Sequence, residues 1–280
     1  MQNAVKISQT QDLRQDSCAD SHQNSRKSNK NSNESQDILQ KYDDLCAIFM
    51  ECDSLTNAEF AEIMGDYEIE FEIAKSLGIP LVTSNGAINT KISANIFEAD
   101  FCMVDIETTG FSASNDEIIE IGAIKYRNGE ILERFNSYIF ASQVPPKITE
   151  ITGITSDMVE DAPPLCTVLR DFKVFLNDSI FMAHNLKFDF NFINEKLALC
   201  DIPPMKNARI CTLELARKTI CAEKYGLGFL NEFLGINNAI RHRALADCEI
   251  ALKVFETSLL NLPAEIRSVR DLMKFCKGKR

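Results

Sequence analysis

Residues 101-107, Phe-Cys-Met-Val-Asp-Ile-Glu, place Phe101, Met103, Asp105 and Glu107 on one face of an extended chain and Cys102, Val104 and Ile106 on the other. A run that is apolar on both faces at its start predicts a strand inside a sheet. Two β-rich runs follow, at 117-127 and 130-140, joined by the hairpin dipeptide Asn128-Gly129. After Pro163-Pro164 the spacing becomes helical. A short apolar strand at 179-183, a helix over 187-199, a strand near 208-212, two helical segments and a long helix from about 243 to 260 complete the pattern. Leu245, Cys248, Leu252, Phe255 and Leu259 mark the buried stripe of that last helix. Three strands followed by alternating helices and strands predict an α/β domain over 99-262, built on a mixed sheet with helices on both faces.

Upstream, Ile38, Tyr42, Leu45 and Phe49 recur at helical spacing. Thr56-Asn-Ala-Glu59 is a capping box for a second helix, and Gly65 is its stop. A third apolar-periodic stretch ends at Gly78 and Pro80, and PLVTSNGAINTKI then reads as two short strands around Asn85-Gly86. Helices followed by a hairpin predict a small helix-rich, winged-helix-like module over 36-98. Residues 1-35 are rich in Gln, Asn and Ser and poor in large apolar residues, which predicts a disordered polar tail. Residues 263-280 form a short basic helix or tail.

Charge modifies this picture. The 280-residue chain carries a net charge of -11, which disfavours nonspecific adhesion to phosphate backbones but allows a nuclease whose acidic site is neutralised by metal. Residues 36-100 hold three Lys and Arg against thirteen Asp and Glu, so the module reads as a packing or protein-docking element and not as a duplex-binding one. The last twenty residues reverse the balance, with six basic side chains against two acidic, and read as a solvated terminus in preference to a short basic helix that brushes nucleic acid. Ten cysteines without a Cys-x-x-Cys pair predict reduced thiols in a cytoplasmic protein. No apolar run approaches the ~20 residues that span a bilayer, so a membrane location is not expected.

Carboxylates on inward faces carry the chemistry. Asp105 and Glu107 project side by side, their Cα atoms ~6.6 Å apart by the strand rise. Asp247 lies in register with Ile250, Ala251 and Val254, and Asp189 shares a helical row with Phe192 and Ile193. His242 belongs to the loop that enters the last helix. Clustered anions are stable when cations occupy them, and oxygen-only ligands suit Mg²⁺ or Mn²⁺. Two such ions and a histidine that can accept a proton predict metal-assisted phosphodiester hydrolysis.

The stretches D-I-E-T-T-G (105-110), H-N-L-K-F-D (184-189) and H-R-A-L-A-D (242-247) resemble, in order and spacing, the three motifs of the DEDDh 3′-5′ exonucleases. The likeness is strongest to proofreading epsilon subunits of bacterial DNA polymerase III and covers roughly 100-260. It implies a ribonuclease-H-like fold with a five-stranded mixed sheet, the second strand antiparallel to the rest. It also implies two Mg²⁺ or Mn²⁺ ions. Asp105 would bridge both, Glu107 and Asp247 would complete the nucleophile-side ion, Asp189 would support the second, and His242 would be the general base. Thr108 and Thr109 would flank the 3′-terminal nucleotide, and Phe111 would either wedge against its base or cap the hydrophobic edge. His184, Asn185 and Phe188 would contact substrate, the alternatives being that Asn185 holds the loop and Phe188 belongs to the core. The expected activity is release of nucleoside 5′-monophosphates from 3′ ends of single-stranded or frayed DNA, in proofreading or repair, with the acidic module docking a replicase or other protein. An RNA-trimming exonuclease of the ribonuclease T or oligoribonuclease kind and a non-catalytic nucleic-acid-binding module remain as alternatives.

Overall fold

The computed structural model describes residues 39-240 and 242-278, and the polar tail expected over 1-35 lies outside them. The chain divides into two compact units between Leu45 and Cys46. In the first, residues 39-45 are helical and belong to a helix, α1, that covers 39-49.

The second unit begins with a small sheet. Strand β1 (Ser54–Thr56), helices α2 (Asn57–Met64) and α3 (Tyr67–Ser76), and strands β2 (Leu81–Ser84) and β3 (Ala87–Thr90) follow in order. The strands pair antiparallel in the order β1-β3-β2. The two helices and the hairpin lie where the spacing predicts them, and β1 is too short to announce itself in the sequence. The capping box forms: Thr56 Oγ1 accepts from the Glu59 N–H at 3.2 Å, and the Glu59 carboxylate accepts from the Thr56 N–H at 2.8 Å. At the hairpin tip Asn85 and Gly86 both take positive φ, +54° and +72°, which an Asn-Gly pair tolerates.

The larger sheet has five strands in the order β6-β5-β4-β7-β8. They are β4 (Phe101–Thr108), β5 (Ile118–Arg127), β6 (Glu130–Tyr138), β7 (Ile180–Ala183) and β8 (Arg209–Cys211). Strand β5 runs antiparallel to both neighbours, whereas β4, β7 and β8 are mutually parallel. The β5-β6 hairpin turns at Asn128-Gly129, again with both φ positive. Between β6 and β7 lie α4 (Pro146–Thr152), α5 (Ser156–Val159) and α6 (Leu165–Leu176); α7 (Leu186–Leu199) leads from β7 to β8. Four helices complete the chain: α8 (Thr212–Thr219), α9 (Leu227–Phe233), α10 (Ala244–Leu260) and α11 (Val269–Lys277).

The alternation read in β4 sorts the core. Cys102, Val104 and Ile106 pack with Leu169 and Phe172 of α6 and Phe192 and Ile193 of α7. Phe101 and Met103 pack on the opposite face with Cys248, Leu252 and Phe255 of α10. Helices therefore cover both faces of a mixed sheet, the architecture expected. None of the helices among the described residues is long and apolar enough to cross a membrane.

Two expectations need correction. The C-terminal stretch is not a solvated terminus: Val269, Leu272 and Met273 of α11 are buried in the same core as Ile92, Ile96 and Ala99. Two of its basic side chains reach back to the small module. Arg270 Nε donates to Phe49 O at 3.1 Å and its guanidinium also pairs with Asp53, while Lys274 meets Glu51 at 3.1 Å. Part of the acidic excess of the small module is thus matched within the chain. The cysteines are also not all thiols. Cys166 in α6 and Cys200 after α7, whose helices share one sheet face, form a disulfide with Cα atoms 5.4 Å apart. The seven other described cysteines are free.

Candidate active site

Strand β4 lies at the sheet centre, and α7 and α10 both begin near its C-terminal edge, the end of a parallel strand where ligand crevices form. Asp105 stands opposite Gly122 of β5, and Glu107 opposite Glu120. Gly122 is required there: an added Cβ would lie 2.5 Å from the backbone of Ala244 and Leu245. The missing side chain lets the start of α10 settle on the sheet and carries Asp247, in the first helical turn, to the two strand carboxylates. Asp105, Glu107 and Asp247 each offer an oxygen, and these oxygens lie within 4.8 Å of one another. Asp189 enters from the first turn of α7 and is almost wholly buried. Both helix-borne acids sit where the helix dipole favours negative charge.

The electrostatics are those of an anion-rich cavity. Burial, then the charges of Asp189, Asp247, Glu107 and Glu120, hold the Asp105 carboxyl well above the usual range. Burial and the charges of Asp247, Glu120 and Asp189 push Glu107 up to about 8, against the pull of Arg243. Asp189 is raised by burial to about 8, with hydrogen bonds from its own N–H and that of Ile106 acting the other way. Such a group keeps protons at neutral pH or exchanges them for cations. The donors are all carboxylate oxygens, the set that suits Mg²⁺ or Mn²⁺ and not a thiolate-bound ion.

The expected histidine sits at the rim. His242 is exposed in the loop before α10, with φ +56°, and its backbone N–H donates to Asp247 Oδ2 at 3.2 Å. The group of three carboxylates includes neither His242 nor Asp189 among its members.

The remaining candidates divide. Thr108 and Thr109 hold the turn after β4: Thr108 Oγ1 donates to Gly110 O at 2.6 Å, and Thr109 Oγ1 accepts from the Glu117 N–H at 2.9 Å. This turn presents Phe111, which is 92% exposed, edge-on to Phe188 with ring centroids 6.4 Å apart. Phe188 in turn leans on Phe192. Asn185 adopts a left-handed conformation, φ +88°, at the start of α7 with its side chain exposed. His184 differs from expectation, since both of its ring nitrogens are engaged within the protein. Nε2 lies 2.7 Å from Tyr225 O, which can only accept, and Nδ1 lies 3.0 Å from the Thr212 hydroxyl. Burial also lowers its pKa, so the neutral ring ties β7 to α8 and the 220-226 loop.

Three residues that sequence reasoning passed over also converge here: Glu120 of β5, Tyr138 at the end of β6, and Arg243, which follows His242. The available signal was Glu120 itself, an acid within the apolar run Ile118-Ile119-Glu120-Ile121.

Comparisons with known proteins concern the part of the chain that carries this site. Residues 102-255 match the family model described as Exonuclease. The chain is 40% identical over 164 residues to a PolC-type DNA polymerase III of Staphylococcus epidermidis, and 40% over 157 residues to that of Oceanobacillus iheyensis. These matches cover 58% and 55% of this chain, and the chain spans 11% of the length of each relative. Among solved structures, exonuclease I superposes with a TM-score of 0.55 at 18% identity, covering 59% of this chain and 42% of that one. The Escherichia coli exonuclease I complex with a dA16 oligonucleotide gives 0.54 at 17%, over 59% of this chain and 42% of that one. At such identities the likeness concerns the fold, which is the ribonuclease-H-like arrangement expected.

Proposed function

Since the chain belongs to the exonuclease family, we propose that it is a metal-dependent 3′-5′ exonuclease that releases nucleoside 5′-monophosphates from single-stranded or frayed DNA ends. The observation that carries this reading is the meeting of Asp105, Glu107 and Asp247 within 4.8 Å, with buried Asp189 raising the pKa of Asp105 beside them. Asp105, Glu107, Asp247 and Asp189 would hold two Mg²⁺ or Mn²⁺ ions. When bound, such cations polarise the scissile phosphate and lower the pKa of an attacking water. His242, open to solvent at the rim, would take that water's proton as general base. The Thr108-Thr109 turn would seat the terminal nucleotide, Phe111 and Phe188 would offer ring surface to its base, and Asn185 would face the strand.

DNA is favoured as the substrate by the PolC-type DNA polymerase III relatives and by exonuclease I, which was crystallised with an oligonucleotide. The same relatives support a proofreading or repair role in the cytoplasm. Ile63, Ile69 and Ile73 are exposed among Glu62, Glu68 and Glu72, which supports protein docking, to a replicase or another partner, through the acidic module.

The test uses 5′- and 3′-labelled DNA and RNA oligonucleotides, single-stranded, paired and mismatched at the primer end, with Mg²⁺ or with chelator. Stepwise shortening from the 3′ end of DNA, abolished by chelator and by Asp105→Ala or Asp247→Ala in folded protein, is expected. Wild-type turnover in either variant overturns the site, and preferential cleavage of RNA overturns the substrate.

A further inference from the structure

Strand β5 supplies no carboxylate to the group of three, yet it holds a charge in the core. Glu120 is 0% exposed and stands opposite Glu107. Both of its oxygens are used by the chain that leads into α10. Oε1 accepts from Arg243 Nη2 at 2.9 Å; Oε2 accepts from Arg243 Nε at 3.0 Å and from the Ala244 N–H at 3.1 Å. The Arg243 guanidinium also donates to Tyr138 Oη at 2.5 Å and lies 5.1 Å from the centre of that ring. The fork is therefore fixed in two directions, by a buried acid below and a phenol beside it.

A buried carboxylate is costly unless paired, and a planar fork is paired in one orientation only. The peptide on the other side of Arg243 is that of His242, whose left-handed backbone a non-glycine residue keeps only where its neighbours over-determine it. Those neighbours are Arg243 and Ala244, anchored on Glu120, and Asp247, which accepts the His242 N–H. Ala244 and Leu245 are also pressed against Gly122, so the loop cannot slide along β5.

We propose that Glu120, acting through the Arg243 fork and supported by Tyr138, is the positioning residue that aims His242 at the attacking water. The inference rests on the assignment of His242 as general base. A general base works within about 2.6–3.2 Å of the proton it removes, and a displacement of ~1 Å costs on the order of a hundredfold in rate. A group whose purpose is aim thus acts on turnover and leaves substrate affinity alone.

The test compares Glu120→Gln, Arg243→Lys and Tyr138→Phe on 5′-labelled single-stranded DNA, with kcat, KM and the Mg²⁺ half-saturation measured separately and folding checked by thermal melt. Arg243→Lys keeps the charge and loses the fork, so it reports even if Glu120→Gln folds poorly. Expected are a 10- to 100-fold fall in kcat for Glu120→Gln and Arg243→Lys and a smaller fall for Tyr138→Phe. KM should stay within twofold in all three variants, and so should the Mg²⁺ requirement of Arg243→Lys and Tyr138→Phe, which leave the charges facing Asp105 and Glu107 in place. In a His242→Gly background supplied with free imidazole as the base, Glu120→Gln should cost nothing further, because no tethered ring remains to aim. An undiminished kcat, a raised Mg²⁺ requirement in Arg243→Lys, or a full additional loss in the imidazole-supplied background would overturn the proposal. Wild-type turnover by His242→Gly alone would instead overturn the base assignment on which it stands, a distinct result.

Discussion

Replacing Glu107 by glutamine should make the metal-free protein more stable while destroying its activity. Burial and three neighbouring acids lift the pKa of this carboxyl from 4.5 to about 8. A carboxyl whose folded pKa exceeds its unfolded one holds a proton that the unfolded chain has already released. Stability therefore falls as pH climbs from about 4.5 through about 8 and levels off beyond. At ~1.36 kcal/mol per pH unit the gap corresponds to at most ~5 kcal/mol. The group is only partly shielded from water and much of its shift comes from the charges of Asp247, Glu120 and Asp189, so a single isosteric replacement should release ~1–2 kcal/mol. For a body of this size that is an increase of roughly 2–8 °C in Tm. The assay is a series of thermal melts in chelator from pH 5 to 9, wild type against Glu107→Gln. The two curves should coincide near pH 5 and diverge toward pH 8, with the variant higher. Adding Mg²⁺ at ~100 times its dissociation constant should then stabilise the wild type by ~2.7 kcal/mol and the variant by less. Parallel curves at all pH values, or a variant that melts lower at pH 8 in chelator, would refute the account of the cavity as an electrostatically loaded cation site.

Other perturbations address the surrounding structure. Gly122→Ala places a Cβ 2.5 Å from the backbone of Ala244 and Leu245, so α10 must lift; a loss of ~1–3 kcal/mol in denaturant melts and a fall in turnover are expected, and an unchanged melt would contradict the close approach. Phe111→Ala removes an exposed ring, so Tm should hold while KM for single-stranded DNA rises by about five- to a hundredfold, the range of base-aromatic stacking; an unmoved KM ends its role as a wedge. Reducing the Cys166-Cys200 bond, whose partners are 34 residues apart, should cost ~2–4 kcal/mol of stability, read as a lower Tm with reductant in wild type and no change in Cys200→Ser.

What the sequence disclosed and what it withheld differ in one physical respect. The face alternation of β4, both Asn-Gly hairpins, the capping box at Thr56 and the inward row of Asp247 are periodic or local, so spacing alone exposes them. The pairing of Glu120 with Arg243 spans 123 residues and becomes visible only when α10 is laid on β5. Glu120 stands out as an acid in an apolar run, but nothing local to it names Arg243 as its partner. The disulfide escaped for the same reason, because two isolated cysteines say nothing of helix ends that meet. His184 misled differently: it belongs to a motif that reads as chemistry, yet Thr212 and Tyr225, both distant in sequence, hold its nitrogens. In α11 the six basic residues near the terminus drew attention from Val269, Leu272 and Met273, which recur at helical spacing and are what the helix buries.

The placement of α11 has a consequence for synthesis. One hydrophobic cluster joins Ile92, Ile96 and Phe101 to Val269 and Leu272, although some 170 residues separate the two groups in the order of translation. A growing chain displays the early half of that cluster to solvent for as long as the intervening sequence takes to emerge. The nuclease scaffold therefore matures late: the apolar seam under its central strand closes after the carboxylates are already made, and any block to elongation between α10 and α11 would leave that seam open to aggregation.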